Sequence, residues 1–407
     1  MQIGAREVIQ VEILFILSLS MIAYACVGYP FLIFLLSRTR QRPVRKADIL
    51  PKVSVIIAAH NEERDIATKI ENTLSLDYPK EKLEIIVVSD CSTDATDEIA
   101  REYFDRGVIL HRQHERLGKT MAQNSAVEVS TGEILAFTDA TTGYQNDALR
   151  KLVRPFADAE VGCVSGQLVY VDRSKSAVGR GCRSYWSYEQ FVRESESRLS
   201  SMIGVTGCLY AVRRSSYTPL AQDMCSDFVI ASEIYLKGLR TVSEREAIAI
   251  EDTNSVSRDE FRMRVRIMEQ TMSALSRYRE ALSIRRHGVF AFQMISHKVL
   301  RYGVAAFLLV ALISNLIIVN ESAVYQATMA FQSAFYVSAL TGWIFTRLGL
   351  RIGPLALPYY FVLANIAIIV AFAKHVRGET HAVWDPLRET TQSSNRMAAA
   401  RAETWSR

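Results

Sequence analysis

The sequence predicts an α/β domain with a largely parallel sheet, accompanied by membrane-spanning α-helices. Two observations support this prediction. Segments rich in β-branched residues alternate with helical segments through the middle of the chain, which is typical of βαβ units with right-handed crossovers. Long apolar runs lie near both ends of the 407-residue chain, although hydrophobic residues make up only 49% of the whole. Such runs are long enough to cross a bilayer as helices.

The amino-terminal apolar run, 11–36, is interpreted as an uncleaved membrane anchor. Ala23-Tyr24-Ala25 resembles a signal-peptidase site, but the run continues beyond it and only Arg6 precedes it as a basic residue. A basic cluster follows the run: Arg38, Arg40, Arg42, Arg45 and Lys46. By the positive-inside rule this cluster places the next segment in the cytoplasm, although a plain basic linker has the same composition.

Strands and helices alternate from the end of this basic cluster onwards. Predicted strands lie at 52–59, 83–89, 108–111, around 134–138 and at 161–171, with a glycine-containing strand or loop at 203–212. Predicted helices lie at 65–76, 95–104, 119–129, 185–200 and 228–237. The first four strands each lead towards a polar or acidic group, so the sequence predicts where a binding site lies.

These groups are His60–Glu63, Asp90, Lys119 and Asp139. Open α/β sheets bind ligands at the carboxyl ends of their strands. Asp139 alone is equally well explained as a turn or cap residue, but four such groups on one edge favour a nucleotide-type site. The sequence lacks both GxGxxG and GxxxxGK[ST], so neither a dinucleotide-binding fold nor a P-loop is supported.

Composition excludes few functions. The formal net charge of +5 shows no strong bias towards nucleic acid, which is not an expected partner. Six cysteines form neither a CxxC nor a zinc spacing, and they suggest no disulfide framework. A reducing compartment therefore fits the middle of the chain.

A helix expected at 260–282 has two contrasting faces. An apolar stripe recurs at helical spacing: Phe261, Val265, Met268, Met272 and Leu275. Arg262 and Arg266 lie on the other face. Such a helix rests on a membrane surface or on the soluble domain, and an ordinary surface helix remains an alternative.

Three more apolar spans are expected at 302–319, 324–345 and 352–373. Pro354 and Pro358 leave open whether the last one is broken or re-entrant. One anchor before the domain and three spans after it would leave the tail outside, whereas basic residues such as Lys374 and Arg377 favour the cytoplasm. The side of the tail stays open.

The motifs resemble those of membrane-bound family-2 glycosyltransferases with the GT-A fold, which include cellulose, hyaluronan and chitin-oligosaccharide synthases. The resemblance covers about 51–282, in the expected order. The motifs are VSVIIAAHNEE (53–63), VVSDCSTDAT (87–96), RLGKTMAQN (116–124), FTDATT (137–142), VTGCLYAVRR (205–214), SDF (226–228) and RMRVRI (262–267). The implied organisation is a transmembrane anchor at 1–37, a cytoplasmic GT-A domain at 51–258, amphipathic interface helices at 259–300, about three transmembrane helices at 301–375 and a polar tail at 376–407.

The resemblance also implies a role for each matching residue. The nucleotide-sugar-binding residues would be Ala58, His60, Glu62, Asp90, Lys119 and Asp139. Asp90 would bond the uracil, and Asp139 would hold a divalent cation, Mg²⁺ or Mn²⁺, against the donor diphosphate. Asp227 would be the general base, and Arg266 would stabilise the leaving diphosphate. Thr206, Gly207 and Cys208 fall where the family builds its acceptor pocket.

Two motifs depart from the family pattern. The family's DxD reads Asp139-Ala140-Thr141, so the second carboxylate is missing. The family's QxxRW reads Met263-Arg264-Val265-Arg266-Ile267, without Gln or Trp. Because that Trp helps to hold the acceptor end in processive synthases, transfer of single sugars or short chains is favoured here.

The implied function is inverting transfer of a sugar from a UDP-sugar to a growing glycan or a lipid-linked acceptor. The protein would lie in a bacterial-type inner membrane with its catalytic domain in the cytoplasm, and other biosynthesis proteins are candidate partners. One alternative is a processive polysaccharide synthase that also translocates its product. Another is a non-catalytic assembly partner, although the four residues Asp90, Asp139, Asp227 and Arg266 argue against it.

Overall fold

A computed structural model describes residues 5–171, 177–252, 257–350 and 353–379. Its eight-stranded sheet has the order β3-β2-β1-β4-β7-β6-β8-β5. The strands are β1 (Val53–Ala59), β2 (Leu83–Ser89), β3 (Val108–Arg112), β4 (Ile134–Asp139), β5 (Gly143–Tyr144), β6 (Val161–Val171), β7 (Tyr210–Arg213) and β8 (Arg240–Asp252). The predicted α/β domain is therefore confirmed.

The first half of the sheet is parallel, as predicted, and the second half is mixed. β1 pairs in parallel with β2 and β4, and β2 pairs in parallel with β3. β7 runs antiparallel between β4 and β6, whereas β6 and β8 are parallel. The sequence predicted neither β5 nor β8. β8 was missed because Glu244, Arg245 and Glu246 interrupt its apolar pattern.

Thirteen α-helices accompany the sheet in the described parts of the chain. The first eight are α1 (Ala5–Ala23), α2 (Tyr29–Thr39), α3 (Ile66–Leu74), α4 (Thr96–Arg101), α5 (Lys119–Val129), α6 (Ala148–Val153), α7 (Ala177–Leu199) and α8 (Ser226–Leu236). The others are α9 (Ser257–Arg277), α10 (Ile284–Met294), α11 (Leu300–Ile318), α12 (Ala323–Arg347) and α13 (Ala356–Val376). Short π-helical turns at Tyr24–Gly28 and Ile295–Val299 join α1 to α2 and α10 to α11.

Both faces of the central strands are covered by helices. Alternate residues of β1 belong to different cores: Val55 and Ile57 face α3, α4 and α6, whereas Ile56 faces α5 and α8. All seven residues of β1 are buried, which explains why this strand reads as a continuous apolar run. The carboxyl ends of β1, β2 and β4 are consequently the free edge at which polar loops gather.

Three of the described helical stretches are long and apolar enough to cross a membrane: Arg6–Thr39, Ile284–Ile318 and Gly353–Val376. They include the expected amino-terminal anchor and two of the three later spans. The third expected span, 324–345, forms α12, but polar residues such as Gln326 and Gln332 make it less apolar than the other three. A fourth span is therefore not confirmed. The predicted tail lies outside the described residues from 380 onwards.

The apolar stripe of α9 packs against membrane-type helices. Val265 and Met268 are buried in one cluster with Ala305 of α11 and with Ala367 and Ile368 of α13. The helix therefore follows the predicted two-faced pattern, with its apolar side against α11 and α13. Its position joins the sheet domain to the apolar helices.

The basic segment after the anchor is attached to the domain surface. The Arg42 backbone N–H donates to the Arg198 carbonyl at 2.8 Å. Lys46 forms a 2.9 Å ion pair with Glu244, whose side chain is fully buried in β8. A free linker would not make these contacts. This segment therefore fixes the entry of the chain into the sheet domain.

Candidate active site

The loops after β1 and β2 interlock at the carboxyl edge of the sheet. Asn61 and Cys91 both adopt positive φ angles, 55° and 56°. The Asn61 side-chain oxygen accepts a 2.7 Å hydrogen bond from the Thr93 N–H, and its own N–H donates to Ser92 Oγ at 3.1 Å. Asn tolerates this left-handed conformation better than most residues, so it suits the turn between strand and helix.

Asp90 fixes the loop that opens α5. Its buried carboxylate accepts hydrogen bonds from the backbone N–H groups of Leu117, at 2.8 Å, and Gly118, at 2.9 Å. The His60 ring Nδ1 lies 2.6 Å from the Asp90 carbonyl oxygen. Ala58, His60 and Asp90 are all almost fully buried. These three residues therefore lie beneath the surface of the sheet's carboxyl edge and support it, and they do not line the cavity.

Lys119 and Asp139 meet at the same edge. Lys119 is the first residue of α5 and forms an ion pair with the Asp139 carboxylate at the end of β4. Its ammonium also lies 3.4 Å from the Gly207 carbonyl oxygen. Burial lowers the pKa of Lys119, but the carboxylates of Asp139 and Asp227 outweigh burial and raise it overall. Lys119 therefore stays a cation at the centre of the site.

Asp227 lies in the first turn of α8 and is held by its neighbours. The Cys225 thiol donates to Asp227 Oδ1 at 2.7 Å, and the Val205 N–H donates to the Asp227 carbonyl at 2.7 Å. Burial, then the nearby Asp227 charge, raises the pKa of Cys225 well above its usual range. The thiol therefore remains protonated and acts as a hydrogen-bond donor to the carboxylate.

Gly207 provides the close approach to Asp227. A Cβ at this position would lie 3.0 Å from Asp227 Oδ2 and 3.3 Å from its Cβ. Its neighbours in the predicted acceptor trio have structural contacts: Thr206 Oγ1 donates to the Gly166 carbonyl at 3.1 Å, and the buried Cys208 accepts a hydrogen bond at its carbonyl from Tyr144. Gly207 is therefore the member of the trio that borders Asp227.

A carboxylate missed at the sequence level stands beside the Asp139-Ala140-Thr141 motif. Thr141 Oγ1 donates to Glu251 at 3.3 Å, so the position of the absent second acid is linked to an acid from β8. Asp139 and Glu251 both act on the buried Lys69 and Cys208, which places them in one electrostatic neighbourhood. Predicting β8 from its alternating Ile248 and Ile250 could have identified this carboxylate.

This donor set can be compared with what a divalent cation requires. Mg²⁺ and Mn²⁺ prefer carboxylate and phosphate oxygens. Asp139 and Glu251 both line the cavity and offer such oxygens. Among the described residues no group of three or more His, Cys, Asp or Glu forms a complete metal cage. The residues fit a cation whose remaining ligands come from a donor diphosphate.

Lys69 supports the loop after β4 from within the domain. Its fully buried ammonium donates to the Thr142 carbonyl at 2.7 Å and lies 3.9 Å from the Tyr144 ring centroid. Burial lowers the pKa of Lys69 to about 7, while nearby carboxylates partly oppose the effect. This role was not predicted, because in the sequence Lys69 is one polar residue of an ordinary amphipathic helix.

Arg266 lies on α9 and lines the cavity opposite the sheet edge. Its charge acts on Cys225, next to Asp227. The neighbouring Arg264 is engaged elsewhere, because it pairs with Glu260 at 2.8 Å and contacts the Tyr360 hydroxyl of α13. Both arginines line the cavity, and Arg264 in addition fastens α9 to α13.

These features surround one cavity of about 1560 Å³. Eight of the predicted site residues line it: Glu62, Lys119, Asp139, Thr206, Gly207, Cys208, Asp227 and Arg266. Ala58, His60 and Asp90 lie behind its wall. The cavity continues past Asp227 to residues of α11 and α13, such as Val304 and Phe361. Its polar end thus lies at the sheet edge, and its other end lies among apolar helices.

The fold has a close counterpart among solved structures. A mannosyltransferase from Pyrobaculum calidifontis, solved in complex with GDP-mannose and Mn²⁺, superposes with a TM-score of 0.69 at 22% identity. The match covers 90% of this chain and 99% of that chain. A mixed, Rossmann-like sheet with apolar helices on this pattern defines a GT-A-like protein, which confirms the predicted fold class.

The sequence matches cover less of the chain than the structural match does, but they indicate a particular family. Residues 54–219, about two fifths of the chain, match the sequence model described as glycosyl transferase family 2. A probable glycosyltransferase of Bacillus subtilis, YdaM, is 32% identical over 173 residues, covering 41% of both chains. A β-monoglucosyldiacylglycerol synthase of Nostoc is 30% identical over 172 residues, covering 41% of this chain and 36% of the relative. The chain thus spans about two fifths of the length of these relatives.

Proposed function

We propose that the protein is an inverting membrane glycosyltransferase that moves a sugar from a UDP-sugar to a glycan or a lipid-linked acceptor. One observation carries the proposal. Lys119, Asp139, Gly207 and Asp227 come from four separate segments, yet they meet at the polar end of one cavity. The first three lie within the segment that matches the family 2 model. Structural roles alone would not require a cation, two acids and a glycine to converge there.

In the proposed reaction Asp227 is the general base. Its carboxylate takes the proton of an acceptor hydroxyl as that oxygen attacks the anomeric carbon. The bond from the anomeric carbon to the donor phosphate oxygen breaks on the opposite face, so the configuration inverts and the nucleoside diphosphate leaves with the electron pair. The Cys225 thiol and the Val205 N–H hold Asp227 in position for this step.

Lys119 and Arg266 would stabilise the leaving group. Both are cations that line the cavity near Asp227, and such charges act where negative charge develops on a departing diphosphate. Asp139 and Glu251 would hold a divalent cation, which when bound neutralises part of the diphosphate charge. Glu251 would thereby compensate for the missing second acid of the DxD motif.

We assign a positioning role to Ala58, His60 and Asp90, which lie behind the cavity wall. Asp90 already bonds the Leu117 and Gly118 N–H groups, so it positions Lys119 through the turn that opens α5. His60 and Ala58 support the same edge, while Glu62 lines the cavity. Contact of Asp90 with the uracil remains a prediction that requires movement of this turn.

Non-processive transfer is favoured, because Ile267 stands where processive relatives have the Trp of QxxRW. The extension of the cavity to α11 and α13 supports one alternative, a processive synthase that also translocates its product. The relation to cellulose, hyaluronan and chitin-oligosaccharide synthases remains a prediction, as does the cytoplasmic position of the domain. Product sizing distinguishes the two modes: a polymer formed in one encounter would contradict single transfer.

The test uses membranes containing the full chain and a panel of radiolabelled UDP-sugars and GDP-sugars. We expect transfer from a UDP-sugar, and we expect Asp227→Asn to abolish it, since an amide cannot take the acceptor proton. UDP binding should stay near the wild-type value in this variant. Asp223→Asn, four residues upstream and outside the cavity wall, is the matched control. Activity in the Asp227→Asn variant would remove the residue from the base role.

A further inference from the structure

A cluster of cations lines the cavity between Asp227 and the apolar helices. We call it the cation belt, and it consists of Arg193 of α7, Lys298 of the π-helical turn and Arg301 of α11. Their side chains are only 13%, 16% and 18% exposed. Three largely buried cations from three elements of one cavity wall require a compensating charge.

The protein supplies only part of that compensation. Glu189 is 2.9 Å from Arg193, 2.8 Å from Arg301 and 4.0 Å from Lys298, so one carboxylate serves all three cations. Asp227 also acts on Arg193. Together these two acids offset two of the three positive charges. A third carboxylate, the fully buried Glu196, lies on the far side of His297. It contacts the His297 ring, at 2.8 Å, and the Tyr29 hydroxyl, at 2.5 Å, rather than a cation of the belt.

One guanidinium nitrogen of the belt has no protein partner. Arg193 Nη1 is buried and makes no hydrogen bond, although Arg193 Nε pairs with Glu189. An unpartnered buried donor on a guanidinium costs free energy that a ligand oxygen can recover. Guanidinium groups match phosphate oxygens in geometry. The belt thus has both the charge and the free donor that an anionic oxygen group needs.

The surroundings of the belt indicate what carries this anion. On one side lies Asp227, and on the other the cavity is lined by Val304 of α11 and by Leu357, Phe361 and Ile368 of α13. Basic pockets between membrane helices are suited to lipid head groups. A ligand that spans these zones has a hydroxyl at Asp227, a negative group at the belt and a hydrocarbon chain beyond it.

We propose that the acceptor is a membrane lipid whose phosphate group binds the cation belt, with its acyl or isoprenoid chains along α11 and α13. This inference rests on the proposed function, since it specifies the acceptor for the base Asp227. It narrows the acceptor from glycans and lipids in general to phosphate-bearing lipids. A neutral lipid such as diacylglycerol would leave the third positive charge of the belt without a compensating anion.

The test measures binding of dioleoyl phosphatidate and dioleoylglycerol to the detergent-solubilised full chain by native mass spectrometry, without nucleotide sugar. We expect phosphatidate to be retained more tightly than dioleoylglycerol. Lys298→Gln should weaken phosphatidate binding about tenfold, the effect of losing one charge-assisted contact. Lys298 is the cation farthest from Glu189, so this change disturbs the buried ion pairs least. Thermal unfolding of each variant checks its folding.

Two matched variants distinguish specific binding at the cation belt from non-specific attraction of the protein to anionic lipid. Lys298→Arg keeps the charge and should retain binding, and Arg285→Gln removes an exposed cation at the start of α10 and should change nothing. Equal binding of both lipids, or wild-type binding by Lys298→Gln, would overturn the proposal. Displacement of phosphatidate by millimolar inorganic phosphate would assign the belt to free phosphate instead. The binding test involves no sugar transfer. An inactive enzyme would therefore contradict the proposed function without affecting the interpretation of the lipid-binding result.

Discussion

Gly207→Ala is expected to slow transfer by displacing the base. The new Cβ would lie 3.0 Å from Asp227 Oδ2, whereas ordinary contact begins at 3.4 Å, so the carboxylate must move by about 0.4 Å. A misplacement of about 1 Å at a reacting centre costs about 10²-fold in rate. Scaling this logarithmically, a shift of about 0.4 Å predicts a loss of about five- to tenfold in kcat.

Gly204→Ala is the matched control in the same loop. A Cβ at Gly204 meets the Asp227 carbonyl oxygen at 3.6 Å and the Phe228 ring at 3.7 Å, which is ordinary contact. The assay is the initial rate of sugar transfer at saturating donor, with UDP affinity measured separately. We expect kcat to fall in Gly207→Ala but not in Gly204→Ala, and we expect the affinity for UDP to be unchanged in both variants. Equal rates for both variants and the wild type would refute the argument that Gly207 sets the position of Asp227.

Two more predictions concern the loop after β4. Glu251→Gln should raise the Mn²⁺ concentration needed for half-saturation in the presence of UDP by about tenfold, as expected for loss of an oxygen ligand. Electron paramagnetic resonance of free Mn²⁺ measures this, with the exposed Glu246→Gln as control, and unchanged affinity would exclude Glu251 as a ligand. Buried Lys69 loses its proton above a pKa of about 7, whereas the unfolded chain keeps it to about 10.4. The free energy of unfolding should therefore rise with pH across this interval. Lys69→Met should flatten that rise in pH-dependent thermal unfolding, and an unchanged slope would contradict it.

The strands buried on both faces were the easiest elements to predict. β2 and β6 have the predicted bounds, and β1 differs by one residue, because apolar β-branched runs have few other stable conformations. β8 was missed because it contains the charged Glu244, which is not expected in a buried strand. Glu244 is buried here because it pairs with Lys46, nearly two hundred positions earlier in the chain. No local pattern contains such a long-range pairing.

The residues of the candidate site likewise fall into those that local sequence patterns predict and those that depend on long-range contacts. The acids and the lysine at strand ends were predictable, since chain direction alone brings the carboxyl ends of β1, β2 and β4 together. Glu251 could be found only by first predicting β8 from its alternating Ile248 and Ile250. Cys225 was not predictable, because its contact with Asp227 depends on where the turn before α8 comes to lie. The burial of Asp90 was equally unpredictable, because its partners are backbone N–H groups of a distant turn.

In the proposed enzyme, the two faces of α9 would couple the bilayer to the donor site. Arg266 lies on one face of this helix, whereas Val265 and Met268 on the other are held by α11 and α13. Arg264 adds a polar fastening to Tyr360. If α13 spans the membrane as proposed, a change of its tilt in a thicker or thinner bilayer would be transmitted to the cavity wall that carries Arg266. Donor binding would then depend on membrane thickness, and a fragment ending at residue 258 would lack this wall.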